Sequence, residues 1–274
     1  MDEVWRVVAG LGGTLALRPY VAAFLAVFIV LAGRDQGIPR TLGFLGWGTL
    51  VAFTAEFAST RTGIPFGLYH YTGTTAGREL FIAGVPIFDP LSFPFLAYAS
   101  WCLARWIGDS DRGARPVLLT GLLMMLLDVV IDPLAVRGNQ WFLGHVFWYP
   151  EGGPYFGVPL SNFAGWLLVG MAGVAGYLLL APSVPRVART QRPWPGVGLY
   201  YGVLFFNLSL TAWIGEWLLL TSGVTVHIVL ALALLTFMYP RAGFARPILA
   251  GKRRGGARVA RDDRRKGGEA PLRG

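Results

Sequence analysis

The sequence predicts an all-α integral membrane protein of about seven transmembrane helices, with two long, aromatic-rich, partly re-entrant outer loops. Three observations lead there. Of 274 residues, 54% are hydrophobic and 14% charged, whereas soluble domains carry about 25% charged residues. Apolar runs recur at about 17–33, 42–58, 93–107, 117–132, 162–181, 197–220 and 224–239. The cations, finally, divide unevenly between the two ends of such a bundle.

Seven spans with a cytoplasmic tail place 19 Lys and Arg on the inner side and five, Arg6, Arg18, Arg61, Arg78 and Arg137, on the outer side. That is the positive-inside asymmetry. Several runs are shorter than the roughly 20 residues that cross a hydrocarbon core, so flanking aromatics must complete them. The expected organisation is a multi-pass domain over 1–240 in the cell membrane and a basic, disordered cytoplasmic tail over 241–274. The tail holds eleven Lys and Arg against three Asp and Glu. The net charge of +9 is therefore mostly tail charge beside lipid headgroups, and no nucleic-acid partner is implied. The first residues lack the charged region and small-residue cleavage site of a signal peptide, which predicts a retained, external N-terminus. Cys102 is the single cysteine, so an internal disulfide is impossible and packing is its expected role.

The connections 59–92 and 133–161 both fall on the outer side. They contain "RTGIPFGLYHYTG", "GVPIFDPLSFPF" and "NQWFLGHVFWYPEGGPYFGVPLSNFAGW". Disordered segments are poor in aromatics, so these loops should be ordered at the interface or between helices, where irregular backbone survives if it lines a cavity. "FDPLSF" at 88–93 echoes "IDPLAV" at 131–136. An aspartate before proline is biased away from helix, which would expose Asp89 and Asp132 at helix boundaries.

The acids of the apolar runs gather at one depth. Glu56 ends the second run, Asp128 and Asp132 lie in the outer half of the fourth, and Glu216 lies in the sixth between Trp213 and Trp217. His70 and His145 are in the outer loops, and His227 opens the seventh run. A charge in hydrocarbon costs a few kcal/mol or more and marks a functional site by default. Asp128 and Asp132, four apart, share one helix face, and two close carboxylates do not both ionise cheaply. A plainer reading pairs Glu56 with Arg61 and Asp132 with Arg137 as interfacial ion pairs. Glu216 has no Lys or Arg near it in sequence.

"DVVID" supplies half of the Mg-diphosphate signature of membrane prenyltransferases, but "DSD" at 109–111 lies on the opposite side. There are no HxxxH or HxxHH clusters for a di-iron site and no GxGxxG after a strand, so neither a metal nor a redox cofactor is expected. Acids, aromatics and water remain. A carboxylic acid kept neutral in an apolar pocket is a general acid. It can protonate an alkene to a tertiary cation, aromatic faces stabilise cations, and water captures the result. That is alkene hydration.

The blocks "EFASTRTGIPFGLYHYT", "FDPLSFPFLAYASW", "LDVVIDPLAVRGNQW" and "FWYPEGGPYFGVPLSNFAGW" resemble the membrane carotenoid-biosynthesis family of bacteria and haloarchaea over about 45–235. The resemblance implies addition of water to the terminal double bond of an acyclic carotenoid end, of γ-carotene, lycopene or C50 type. The implied partners are the polyene, water, membrane lipid and other enzymes of carotenoid biosynthesis. The family brings no catalytic assignment. The candidate catalytic groups are therefore read from the constellation: Asp132 as proton donor, Asp128, Glu216 across the cavity, and Glu56. The candidate substrate-contacting residues are Tyr69, His70, Asp89, Trp141, His145, Trp148, Asn162, Trp213 and Trp217. Two other readings stand beside this one, an isoprenoid transferase holding Mg on Asp128 and Asp132, and a proton-coupled transporter using the acids as a relay.

Overall fold

A computed structural model describes residues 2–108, 110–180 and 193–243. The basic tail beyond 243 and the segment carrying Arg186, Arg189 and Arg192 lie outside the described residues. Within them the chain forms eight helices: α1 (Asp2–Leu17), α2 (Pro19–Gln36), α3 (Ile38–Thr62), α4 (Phe88–Gly108), α5 (Ala114–Ala135), α6 (Leu160–Leu180), α7 (Trp194–Trp213) and α8 (Trp217–Gly243). Six of the seven expected runs coincide with α2, α3, α4, α5, α6 and α8, and the run 197–220 spans α7 and the start of α8. The protein is an all-α membrane protein, and α2, α3, α5, α6 and α8 are long and apolar enough to cross a bilayer.

The addition is α1. Its Gly10 and Gly13 lie against the backbone of Leu80 and Arg78, where a side chain on Gly13 would collide with the Arg78 carbonyl. The Thr14 hydroxyl accepts the Leu80 N–H at 2.9 Å. α1 thus packs on the loop that follows α3.

At the centre is α4, buried almost without interruption from Phe93 to Arg105 and touched by α2, α3, α5, α6 and α7. A helix enclosed by other helices needs no lipid-facing stripe, so it tolerates Ser100 and Arg105 among its apolar residues. α5 and α6 approach closely because Gly121 and Gly170 face each other, the small-residue contact that lets membrane helices touch backbone to backbone. That contact sets the Asp128–Asp132 face of α5 against the start of α6.

The two aromatic loops meet. β1 (His70–Tyr71) pairs antiparallel with β4 (Phe147–Trp148), joining Tyr71 to Phe147 in register, and the Thr72 N–H continues the ladder to the Val146 carbonyl at 2.8 Å. β2 (Phe81–Ile82) and β3 (Val85–Pro86) form a hairpin that turns through Ala83 and Gly84, both at positive φ. Together the loops cap one end of the bundle.

Two local expectations are corrected. The run 197–220 is not one helix. Gly215, at φ 77°, adopts the left-handed turn that glycine permits and divides α7 from α8. Glu216 is therefore a turn residue, and Trp213 and Trp217 flank a turn. Nor does α5 end at Asp132. Pro133 lies inside its last turn and the helix continues to Ala135, whereas Pro90 occupies the first turn of α4, where a missing N–H matters least.

Candidate active site

Beneath the cap lies a cavity bounded by α2, α3, α4, α5, α6, α7 and the two loops. Its volume is about 150 Å³, many times the roughly 10–15 Å³ that one water needs. Its walls are aromatic. Phe93 stacks on Trp166 at 4.3 Å between ring centroids. Tyr69 meets Tyr71, Phe147 and Tyr149 edge-on at 5.5–5.8 Å, and Tyr20 lies between Trp141 and Phe206. Trp141 is held in place by its indole N–H, which donates to the Leu134 carbonyl at 3.1 Å.

Three carboxyls face this space. Asp132 comes from the last turns of α5. Its Oδ2 accepts the Asn162 side-chain amide at 2.7 Å and, more weakly, the Tyr149 hydroxyl at 3.4 Å. The same Asn162 nitrogen donates to Asp128 Oδ2 at 2.7 Å. Asp128 is wholly buried one turn behind, does not line the cavity, and keeps an Oδ1 with no hydrogen-bond donor among the described residues. The helix-face expectation for this pair therefore holds in space, with Asn162 as the bridge.

Glu56, near the end of α3, is 4% exposed and accepts the Tyr71 hydroxyl at 3.1 Å. Its expected partner, Arg61, instead lies over the Phe57 ring and donates to Ala83 and Phe57 carbonyls. Among the described residues, neither Glu56 nor Asp132 is hydrogen-bonded to a cation. Asp89 is. In the first turn of α4, its Oδ1 pairs with Arg18, whose other nitrogen binds the buried Glu79 at 3.0 Å. Burial, with the neighbouring Glu56 carboxyl, lifts the Tyr69 and Tyr71 phenols well above the usual phenol value. Burial beside Asp132 does the same for Tyr149. All three are therefore protonated donors.

The structure gathers Glu56, Asp132, Asp89, Tyr69, Trp141 and Asn162 around the cavity. It does not bring the rest there. Glu216 pairs with Arg137 at 3.0 Å, both partly exposed. That cation is remote in sequence and was assigned to Asp132 by the plainer reading. Trp213 and Trp217 are 67% and 64% exposed on the bundle surface. Trp148 and His70 pack on each other at the outer face of the cap, and His145 is exposed, contributing its backbone carbonyl to Thr72 and Thr74. His227 lies within α8, its Nδ1 at 2.9 Å from the Gly223 carbonyl, and does not line the cavity.

Arg18 and Glu79 were not legible as site residues. A lone arginine opening an apolar run was the available signal for Arg18, but it counted only toward topology. Tyr71, Tyr149 and Trp166 were hidden among many aromatics. Among the described residues, no three His, Cys, Asp or Glu come together as a metal-ligand group.

Fold and site define a membrane protein with an acid-lined aromatic cavity. A profile of the family described as carotenoid biosynthesis protein matches residues 16–232, and the chain belongs to that family. It is 30% identical over 230 residues to bisanhydrobacterioruberin hydratase of Haloarcula japonica, across 76% of this chain and 74% of that one. No solved structure matches.

Proposed function

We infer that this protein is a carotenoid hydratase. It adds water to the terminal C1=C2 bond of an acyclic carotenoid end through a tertiary carbocation. The observation that carries the reading is that Glu56 and Asp132 face one aromatic cavity, and that among the described residues no cation is bonded to either. Asp132 is the proton donor. It shares Asn162 with Asp128, and a carboxyl pair one turn apart shares a proton more cheaply than it carries two charges. Asp128 and Asn162 position it. Protonation at C2 leaves the charge on C1, where the rings of Phe93, Trp166, Tyr69 and Trp141 stabilise it. The hydratase named among the relatives supports the same chemistry.

The test is an expression host that makes lycopene or γ-carotene. The expected result is a carotenoid heavier by one water, formed without oxygen or nicotinamide and insensitive to chelator. Loss with EDTA and recovery with Mg would instead favour an isoprenoid transferase. The capped end should face outward and the tail the cytoplasm, following the cation asymmetry. A reporter fused after Arg273 should read internal, and an external reading overturns that orientation.

A further inference from the structure

Hydration needs a second proton transfer that the acid alone does not explain: the captured water must lose a proton. We propose that Asp89 is the base that receives it. This rests on the hydratase reading and assigns the step that reading leaves open.

Three features single Asp89 out. It lines the cavity, and its side chain keeps 23% exposure. Only Oδ1 is engaged, by Arg18; among the described residues Oδ2 has no hydrogen-bond donor. Second, its charge is built in. Arg18 holds Asp89 and Glu79 together, two anions on one cation, so the group carries one net negative charge beside the place where a carbocation forms. Its position in the first turn of α4 also places an anion where the helix dipole favours one. Third, Asp89 lines the same cavity as Asp132 and Glu56, so acid and base both face the space where the alkene end would lie.

The step balances. The Asp132 O–H bond breaks as the alkene π electrons form C2–H, leaving C1 positive and Asp132 a carboxylate. A water lone pair forms the C1–O bond, and the oxonium O–H proton passes to Asp89 Oδ2. A protonated alcohol is a strong acid, so an ion-paired carboxylate is base enough. Asp89 then gives its proton up to water, and Asp132 takes one back from water, which restores both groups. One water has been added, and nothing is oxidised or reduced.

Separating acid from base calls for solvent deuterium. Membranes holding each variant are incubated with acyclic carotenoid in D2O, and both product and recovered substrate are weighed by mass spectrometry. Asp89→Asn should lower hydration about 10²-fold or more, in the range of a lost acid–base group. It should still form the cation, which collapses by losing the original C2 hydrogen or a C1-methyl hydrogen to the Asp132 carboxylate or to water, so recovered alkene, as substrate or its terminal-methylene isomer, gains deuterium at C2. Asp132→Asn should abolish both hydration and labelling. Asp89→Glu should hydrate measurably better than Asp89→Asn. Wild-type hydration by Asp89→Asn overturns the proposal, as does lost hydration with unlabelled substrate in a variant that accumulates normally. If Asp89→Asn does not accumulate, Glu79→Gln decides. It keeps the Arg18–Asp89 pair and removes the surplus charge, and should give slower hydration with labelled substrate. Unchanged hydration without label overturns the proposal there too. Wild-type protein that forms no hydrated product at all overturns the hydratase reading itself, a result distinct from every variant outcome.

Discussion

α2 and α4 lie side by side and are tied at both ends by an arginine and an aspartate, with the polarity reversed. At the capped end Arg18, before α2, reaches Asp89 at the start of α4. At the other end Asp35, near the end of α2, takes Arg105 near the end of α4 at 2.8 Å. The two ties are about 25 Å apart at 1.5 Å of rise per residue. Their surroundings differ. Asp35 Oδ2 also accepts the Tyr98 hydroxyl at 3.2 Å. The Arg105 guanidinium donates to Cys102 Sγ and lies over the Trp101 ring at 4.4 Å. Beside it the Tyr177 hydroxyl closes on Gln36. That cluster is buried and lines no part of the cavity, so it is placed to hold helices. At the capped end the aspartate of the same kind of pair lines a cavity shared with Glu56 and Asp132. One ion pair has the setting of a clamp and the other that of the reagent proposed above, and the difference lies in what surrounds the carboxylate.

The sharpest break between the ends should be Asp132→Asn. Hydration should fall about 10²–10⁴-fold while membrane accumulation is unchanged, read as unhydrated pigment per inserted protein. A wild-type rate would reduce Asp132 to a structural role. Arg105→Ala should do the opposite. It leaves Asp35 buried without its cation, which costs about 3–5 kcal/mol. Thermal unfolding in detergent should therefore shift down strongly, while hydration per folded molecule persists. Loss of chemistry without loss of stability would show that the far cluster is not merely a clamp. Gly121→Ala tests the link between the ends. Its Cβ would sit 2.5 Å from the Leu167 carbonyl, and such overpacking costs about 1–3 kcal/mol. Prising α5 from α6 should also loosen Asp132 from Asn162, so melting temperature and rate should fall together. The smallest effect belongs to Glu216→Gln. Its pair with Arg137 is 20–29% exposed, a class worth at most about 1 kcal/mol, and hydration should stay at the wild-type rate. A hydration defect there would reopen the case for Glu216.

The sequence by itself determined the class of the molecule, because hydropathy and cation asymmetry are summed over long segments and survive errors of a few residues at each boundary. It also determined that Asp128 and Asp132 share a face, since helical period fixes neighbours four apart. It found Glu56, because an acid in an apolar run is conspicuous wherever the run packs. The tertiary structure alone decided the rest. Glu216 looked unpartnered because its cation, Arg137, is remote along the chain and reaches it only once the cap and the α7–α8 turn are in place. Trp213 and Trp217 looked like cavity walls because composition does not say which way a helix end faces. Arg18 lies 61 residues from Glu79 and 71 from Asp89, and nothing local to it encodes either anion. They meet because α1 packs on the loop that follows α3, at Arg78 and Leu80, and α2 packs on α4, and that long-range packing brings Arg18 between its two anions.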